Sequence, residues 1–262
     1  MECIYYNLIK FQCITKQILK DTPLQTWHQS IIKIKQKDNL DQQEKPVAKK
    51  IKKNEANPAE EYEMVETMLT ADFYKADVVE LAQKLIGKII VRQLPQGEVR
   101  AIIVETEAYK APEDKACHAY NNKKTDRTKY FWQDGGHLYV YSIYGNNYCL
   151  NITAATKDDP EAVLIRAVQP LSFDIIKEIR KTKSTKLQDL SNGPGKCGGC
   201  LLLDKSHNGL NLCDQKSGMY LIDNKKQYEI GVSARINIDY AEEWKDKPWR
   251  FYVKNNSFVS KG

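Results

Sequence analysis

No run in this 262-residue sequence approaches the roughly 20 consecutive apolar residues that a membrane-crossing helix needs, so no membrane span is expected. A secretory leader is not expected either. Glu2 stands where the basic n-region belongs, and Lys10 interrupts the first apolar stretch. Cysteine is sparse and odd in number, seven in all, which without a leader argues for reduced thiols and not a disulfide framework. The G-x-x-x-x-G-K-[ST] phosphate cradle is missing, and so is the G-x-S-x-G nucleophile elbow. Charge of one sign is not in great excess: 40 basic residues stand against 34 acidic ones, a formal +6. That surplus lies mostly beyond residue 66, because residues 1–66 carry 11 lysines, no arginine and 10 acids. A mild basic balance suits a polyanionic partner without demanding one.

What remains is a composition of the soluble globular kind, 42% hydrophobic and 28% charged. Residues 1–66 read as a low-order extension. An apolar-rich segment from Ile4 to Leu19 could form a helix, but block charges follow, first the basic run Lys45 to Lys53, then Glu60-Glu61-Tyr62-Glu63. The basic run has the look of a nuclear address or a nucleic-acid patch, with a solvated linker as the bland alternative. The folded part, residues 67–262, should begin near Leu69. Apolar spacing predicts an amphipathic helix over Asp77 to Leu85, stopped by Gly87. Strands are expected at Lys88–Leu94 and Val99–Glu105, paired as a hairpin through Pro95-Gln96-Gly97. Residues 110–136 are polar and read as a long loop system. Further strands are expected at His137–Ile143, Tyr148–Ala155, Ala162–Val168, Met219–Ile222 and Gly231–Ile236, with a helix at Phe173–Thr182 and a tight turn at Gly193–Lys196. Strands without regular helical crossovers point to an α+β single domain with a mainly antiparallel, curved sheet flanked by helices.

The residues with chemical promise cluster between Val104 and Arg166. In Val104-Glu105-Thr106-Glu107-Ala108-Tyr109, a period of two places Glu105, Glu107 and Tyr109 on one face. A partly desolvated acid beside aromatics can serve as a general base. From the residues alone, however, the expectation is two solvent-facing glutamates at a strand end. Tyr139 and Tyr141 alternate on a strand and suit half-buried packing. Tyr144 precedes Gly145, at a turn tip where an aromatic has little to pack against and could wedge into a base stack. Arg166 follows three apolar residues and must point outward or find a partner, a phosphate being attractive. His118 is a lone loop histidine. Cys197, Cys200, His207 and Cys213 form C-x2-C-x6-H-x5-C, a loose version of a zinc knuckle; an incidental reduced set is expected instead, and no metal.

Taken together, the E-T-E-A-Y segment at 105–109, Pro112-Glu113-Asp114, His118, Leu138–Tyr141, Ile143–Gly145, Asn151-Ile152, Arg166-Ala167, Gly193–Lys196 and Arg250–Val253 strongly resemble the alkyladenine (3-methyladenine) DNA glycosylase family, in collinear order from about Leu69 to Ser260. The resemblance implies a monofunctional base-excision repair enzyme, cofactor-free and monomeric, acting on double-stranded DNA that carries damaged purines. It implies Glu107 as the residue activating water and Arg166 as an arginine beside that water and the DNA backbone. It implies a base pocket of Tyr109, His118, Tyr141, Asn151 and Leu164, and Tyr144 as the residue filling the gap left by a flipped nucleotide. A catalytically weak damaged-DNA-binding module is the alternative, and a zinc-dependent RNA-binding protein a remoter one. The implied location is the nucleus in a eukaryote and the cytoplasm otherwise. Three departures stand out. Cys197-Gly198-Gly199-Cys200 replaces a more helical run and suggests a looser stretch. Asn146 replaces an apolar residue. The loop at Lys157–Pro160 looks longer by two residues.

Overall fold

The computed structural model describes residues 67–145, 147–181 and 186–260. The expectations for residues 1–66, the Lys45 to Lys53 run included, and for Asn146 lie outside the described residues.

Among the described residues, four α-helices and eight strands make up the fold. A short turn of helix, α1 (Ala71–Tyr74), leads to α2 (Val78–Leu85). In α2, Val78, Leu81, Ala82 and Leu85 are buried, one helical stripe as the spacing predicts. Asp77 caps it by accepting from the Val79 amide at 2.9 Å, and Glu161 Oε2 takes the Val78 amide at 3.0 Å. The chain then turns at Gly87, whose φ of 85° lies in the left-handed region and where an added Cβ would sit 2.5 Å from the Tyr228 ring.

The strands are β1 (Ile89–Leu94), β2 (Gly97–Lys110), β3 (Leu138–Ile143), β4 (Asn147–Ala154), β5 (Glu161–Pro170), β6 (Met219–Ile222), β7 (Ile230–Ser233) and β8 (Arg250–Val253). Their order is β3-β4-β5-β2-β1-β6, and β8 joins β2 and β7 off that path. Every ladder between them is antiparallel. The expected α+β class and antiparallel sheet are therefore observed. Between the strands lie α3 (Phe173–Arg180) and α4 (Pro194–Cys200).

Strand β2 decides where the site forms. It runs five residues beyond its expected end, so Glu105 and Glu107 lie inside the strand and not at its tip. Near Glu105 its register against β5 shifts twice, through a bulge. The bulge coincides with a change of neighbour: β1 accompanies β2 as far as Ile102, and β8 takes over at Glu105. It also changes the phase of the side chains. Before it, Val99, Ala101 and Ile103 enter the main apolar core; after it, Val104 and Ala108 do, and Thr106 donates to the Ala82 carbonyl of α2 at 2.8 Å. Glu105, Glu107 and Tyr109 are thereby aimed at the opposite face.

The stretch 193–200 also departs from expectation. It is helical from Pro194 to Cys200, neither a bare turn nor a looser run, with Pro194 in the first turn where its missing N–H costs nothing. Its glycines have a packing reason. A Cβ on Gly198 would fall 1.9 Å from the Tyr148 carbonyl oxygen, so β4 approaches the helix backbone more closely than any side chain permits.

Candidate active site

Both glutamates of β2 are fully buried, which overturns the solvent-facing expectation. Burying a carboxylate is costly unless it is paired and hydrogen-bonded, and both are. Glu105 Oε1 accepts from Arg166 Nε at 2.9 Å, Arg250 Nε at 2.7 Å and Ser260 Oγ at 2.8 Å, while Oε2 accepts from the Ser260 amide at 2.7 Å. Glu107 Oε1 accepts from the Ile236 amide at 2.8 Å and lies 3.3 Å from Arg166 Nη1. Its Oε2 accepts from the Tyr109 hydroxyl at 2.8 Å. A carboxylate offers about four acceptor positions. Glu105 takes four hydrogen bonds, whereas Glu107 takes two beside its ion pair with Arg166 and so keeps acceptor capacity.

Arg166 neither points outward nor stands free. It is buried and bridges the two carboxylates, with Nη2 also donating to Ser260 Oγ at 3.3 Å. Its site-facing position follows from the irregular pairing of β5 with β2, where Arg166 drops out of the register between Ala167 and Ile165.

Around this charged floor stands an aromatic wall. Tyr139 and Tyr141 lie on one face of β3 with ring centroids 5.2 Å apart. Phe131 packs edge-on to Tyr139 at 4.8 Å, and His118 does the same to Tyr141 at 4.8 Å. His118 Nδ1 is 2.8 Å from the Tyr139 hydroxyl. His118 remains solvent-accessible, yet the protein around it removes enough water, with help from Arg127 and then Lys123, to push its pKa down to about 4. It is a neutral ring at pH 7, able to donate one hydrogen bond and accept another. Burial, and then Glu107, push the Tyr109 hydroxyl well up, so it stays a proton donor. Asn151 is buried and its amide donates to the Tyr139 carbonyl at 3.0 Å.

Two hollows open between these groups. A smaller one of about 60 Å³ is lined by Tyr109, His118, Tyr139, Tyr141 and Asn151 among others. A larger cleft of about 520 Å³ takes in Tyr109, Tyr141, Tyr144, Leu164 and Arg166. The larger has the size usual for a small-ligand site. All eight expected site residues thus converge: Glu107 on the floor, and Tyr109, His118, Tyr141, Tyr144, Asn151, Leu164 and Arg166 on the walls.

Tyr144 is 95% exposed at the β3–β4 turn, with φ of 43°. A bulky residue in the left-handed region is held there at a cost of about 1–2 kcal/mol. Neither packing nor local geometry accounts for an aromatic at that tip.

Four residues contribute in ways the sequence does not assign. Arg235 is buried, paired with Asp114 through Nη2 at 2.9 Å, and its guanidinium lies 4.7 Å from the Tyr109 ring centroid. Ser260 and Arg250 complete the shell of Glu105. Ile236 supplies a backbone N–H to Glu107 because β7 ends at Ser233, three residues earlier than expected. A lone arginine between Ala234 and Ile236 was the available signal for the first of these.

The four zinc-knuckle positions serve other purposes. Cys197 and Cys200 are buried in the main core, His207 Nε2 sits 2.6 Å from Arg92 Nη2, and Cys213 packs beside Gly136. Among the described residues, no group of three or more His, Cys, Asp or Glu could hold a metal ion.

The family model for methylpurine-DNA glycosylase matches residues 72–257, nearly the whole described region. The chain belongs to the methylpurine-DNA glycosylase family. It is therefore an enzyme of the class that hydrolyses N-glycosyl bonds in DNA repair. Among similar proteins, one from Natranaerobius thermophilus, assigned by name to 3-methyladenine DNA glycosylase, is 47% identical over 73% of this chain and 98% of its own length. One from Clostridium novyi with the same assignment is 48% identical over 74% of this chain and 98% of its own, and one from Bacillus cereus is 43% identical over 72% and 97%. These glycosylase relatives are bacterial and give the nuclear expectation no support. Among the described residues no helix is long and apolar enough to cross a membrane.

Proposed function

We propose that this protein is a monofunctional glycosylase that extrudes alkylated purines from duplex DNA and releases them with a water activated by Glu107. The observation that carries the reading is the buried Glu107 carboxylate, held by two hydrogen bonds and an ion pair with acceptor capacity left over, next to residues of a cleft walled by Tyr109 and Tyr141. A target base must leave the stack before it can be attacked. Tyr144, extended at the turn tip, fills the vacated space, and base–aromatic stacking of about 1–3 kcal/mol offsets much of the extrusion. Many alkylated purines are cationic, and tyrosine faces hold a cation in preference to a neutral ring.

Cleavage of the glycosidic bond builds positive charge on the sugar, as in other glycoside hydrolyses. Glu107 stabilises that charge and accepts a proton from the attacking water. Arg166, bridging Glu105 and Glu107, holds the carboxylate in place. An alkylated purine is already a good leaving group, so no amine nucleophile is needed. The product is an abasic site in an uncut strand. One cleft serves one lesion, so a monomer suffices, and the bacterial relatives favour the cytoplasm as its location.

The test is incubation with duplex oligonucleotides that each carry one defined lesion, read before and after alkali. Strand cleavage only after alkali is the expected result. Cleavage without alkali would remove the monofunctional assignment, and intact strands for every lesion would remove the reading altogether.

A further inference from the structure

The two hollows share three residues: Tyr109, Tyr141 and Tyr240. The first two belong to the base pocket already described. Tyr240 does not, and it lies far away in sequence. It sits on a 3-10 segment, Asp239–Asp246, following the residues that reach Glu107. Its neighbours fix it firmly. Ile238 and Ala241, on either side, are buried and pack with Ala116. Lys115 pairs with both Glu242 and Glu243. Two residues bracketing Tyr240, Asn237 at φ 59° and Glu242 at φ 51°, occupy the left-handed region. Backbone strain of this kind persists only where surrounding structure holds it.

Tyr240 itself is 66% exposed. An anchored, strained loop thus presents one large aromatic to solvent, at the neck between an inner hollow and an outer cleft. The inner hollow of about 60 Å³ is too small for a purine as it stands. A ring that is to reach His118 and Asn151 from the cleft must pass between Tyr109, Tyr141 and Tyr240. Tyr109 is fixed by Glu107 and Arg235, and Tyr141 by the rings beside it. The exposed ring is the one with room to turn.

We propose that Tyr240 is a specificity-determining residue, the adjustable third wall that closes on an inserted purine and sets how large a base the inner hollow accepts. The inference rests on the proposed function of the cleft. Burial, and then Asp114, raise the Tyr240 phenol pKa, so its hydroxyl is a proton donor toward the edge of the base. The occupant is a purine enlarged at its outer edge, such as one carrying a fused etheno ring, in competition with a purine carrying a single methyl group.

The experiment compares single-turnover base release from two duplexes, one with 1,N6-ethenoadenine and one with 7-methylguanine. Tyr240→Ala should raise the etheno-to-methyl rate ratio by about tenfold, the scale on which a pocket discriminates one small group. Tyr240→Trp should lower it, and Tyr240→Phe should hold it within about twofold while lowering both rates. Thermal melting should not move for any of the three. A ratio unchanged in both the Ala and Trp variants, with wild-type release intact, would overturn the inference alone. Absence of release from either lesion by the wild type would overturn the reading of the cleft and this inference with it.

Discussion

Two carboxylates two residues apart on β2, both fully buried, have opposite surroundings. Around Glu105 the protein is closed. Two guanidinium groups, a hydroxyl and a backbone amide take up its acceptor positions, and all four donors are tied to the C-terminal strand and the residues after it or to β5. Around Glu107 the hydrogen-bond donors are fewer. They are the Tyr109 hydroxyl and the Ile236 amide, Arg166 lies beside it as an ion pair, and all three residues line the cleft. The difference is one of saturation, not of burial or charge. A filled carboxylate is a structural joint; one with a position to spare can hold a water. Arg166 ties the two together, so Glu105 steadies the carboxylate proposed to react.

The comparison breaks most visibly in glutamine variants. Glu107→Gln should lower base release by about 10²–10⁴-fold, the usual worth of a positioned acid or base. Binding to lesion duplexes should persist, because the substituted side chain keeps an oxygen for Ile236 and Arg166 and turns its amide toward the Tyr109 hydroxyl, which can accept. Single-turnover rates beside band-shift affinities check both halves, and full activity in this variant would free Glu107 from its assigned role. The same change in Glu105→Gln has no such escape. Whichever way the new amide turned, its NH2 would face donors, Arg250 would lose its carboxylate partner and Arg166 one of its two. Removing one side of a buried ion pair costs about 3–5 kcal/mol. Urea denaturation of Glu105→Gln should show that loss, with Glu107→Gln close to wild type. Equal midpoints for the two would end the distinction drawn between them.

The sequence makes one of these regions far more legible than the other. A period of two suffices to set Glu105, Glu107 and Tyr109 on one face, and it holds because the residue that β2 skips in the pairing, Val104, precedes all three, while the second shift skips Arg166 on β5. Strand β6 and the amphipathic face of α2 are likewise local patterns, readable from a few residues. The bulge itself is invisible, since Ile103 and Val104 read as any apolar pair, and with it went the true length of β2. The shell of Glu105 was equally hidden. Arg250 and Ser260 lie 145 and 155 residues away, and no local periodicity reports contacts at that separation. Burial of the glutamates could not be inferred without those partners, which is why solvent-facing acids were the natural expectation. At Gly198 the pattern misled for a different reason. Glycine pairs read as loose chain, whereas here the missing side chain of Gly198 lets β4 and α4 touch.

A smaller effect separates the turn tip from the rest of the site. Tyr144 is held out at φ 43° with nearly all its surface in water, so its side chain contributes little to the fold. Tyr144→Gly relieves the left-handed backbone, a gain of about 1–2 kcal/mol that the greater freedom of glycine in the unfolded chain partly offsets, so stability should change by about 1 kcal/mol or less. It removes a stacking surface worth about 1–3 kcal/mol, so affinity for a lesion duplex should fall by about tenfold or more. Paired melting and binding curves make the check. A variant that melts several degrees lower while binding normally would show Tyr144 to be a packing residue after all.

The smallest expected effect concerns pH. His118 has its pKa pushed down to about 4 by burial and by Arg127 and Lys123, against an unfolded value near 6.5. Between those values the unfolded chain binds a proton there and the folded chain does not. Stability is therefore fully present above about 6.5 and is lost progressively as the pH falls toward about 4. Because the ring is solvent-accessible, the slope should be shallow. His118→Gln keeps a polar side chain beside the Tyr139 hydroxyl and abolishes the titration. Its melting temperature should fall less than that of the wild type from about pH 6.5 to about pH 4, and the two curves should run parallel above about pH 7. Base release by the wild type should likewise show no inflection near 6.5 from this residue, since a ring already neutral has no proton to lose. An inflection there that vanished in the variant would mean that His118 works as an imidazolium, and that the aromatic wall is more polar than its packing indicates.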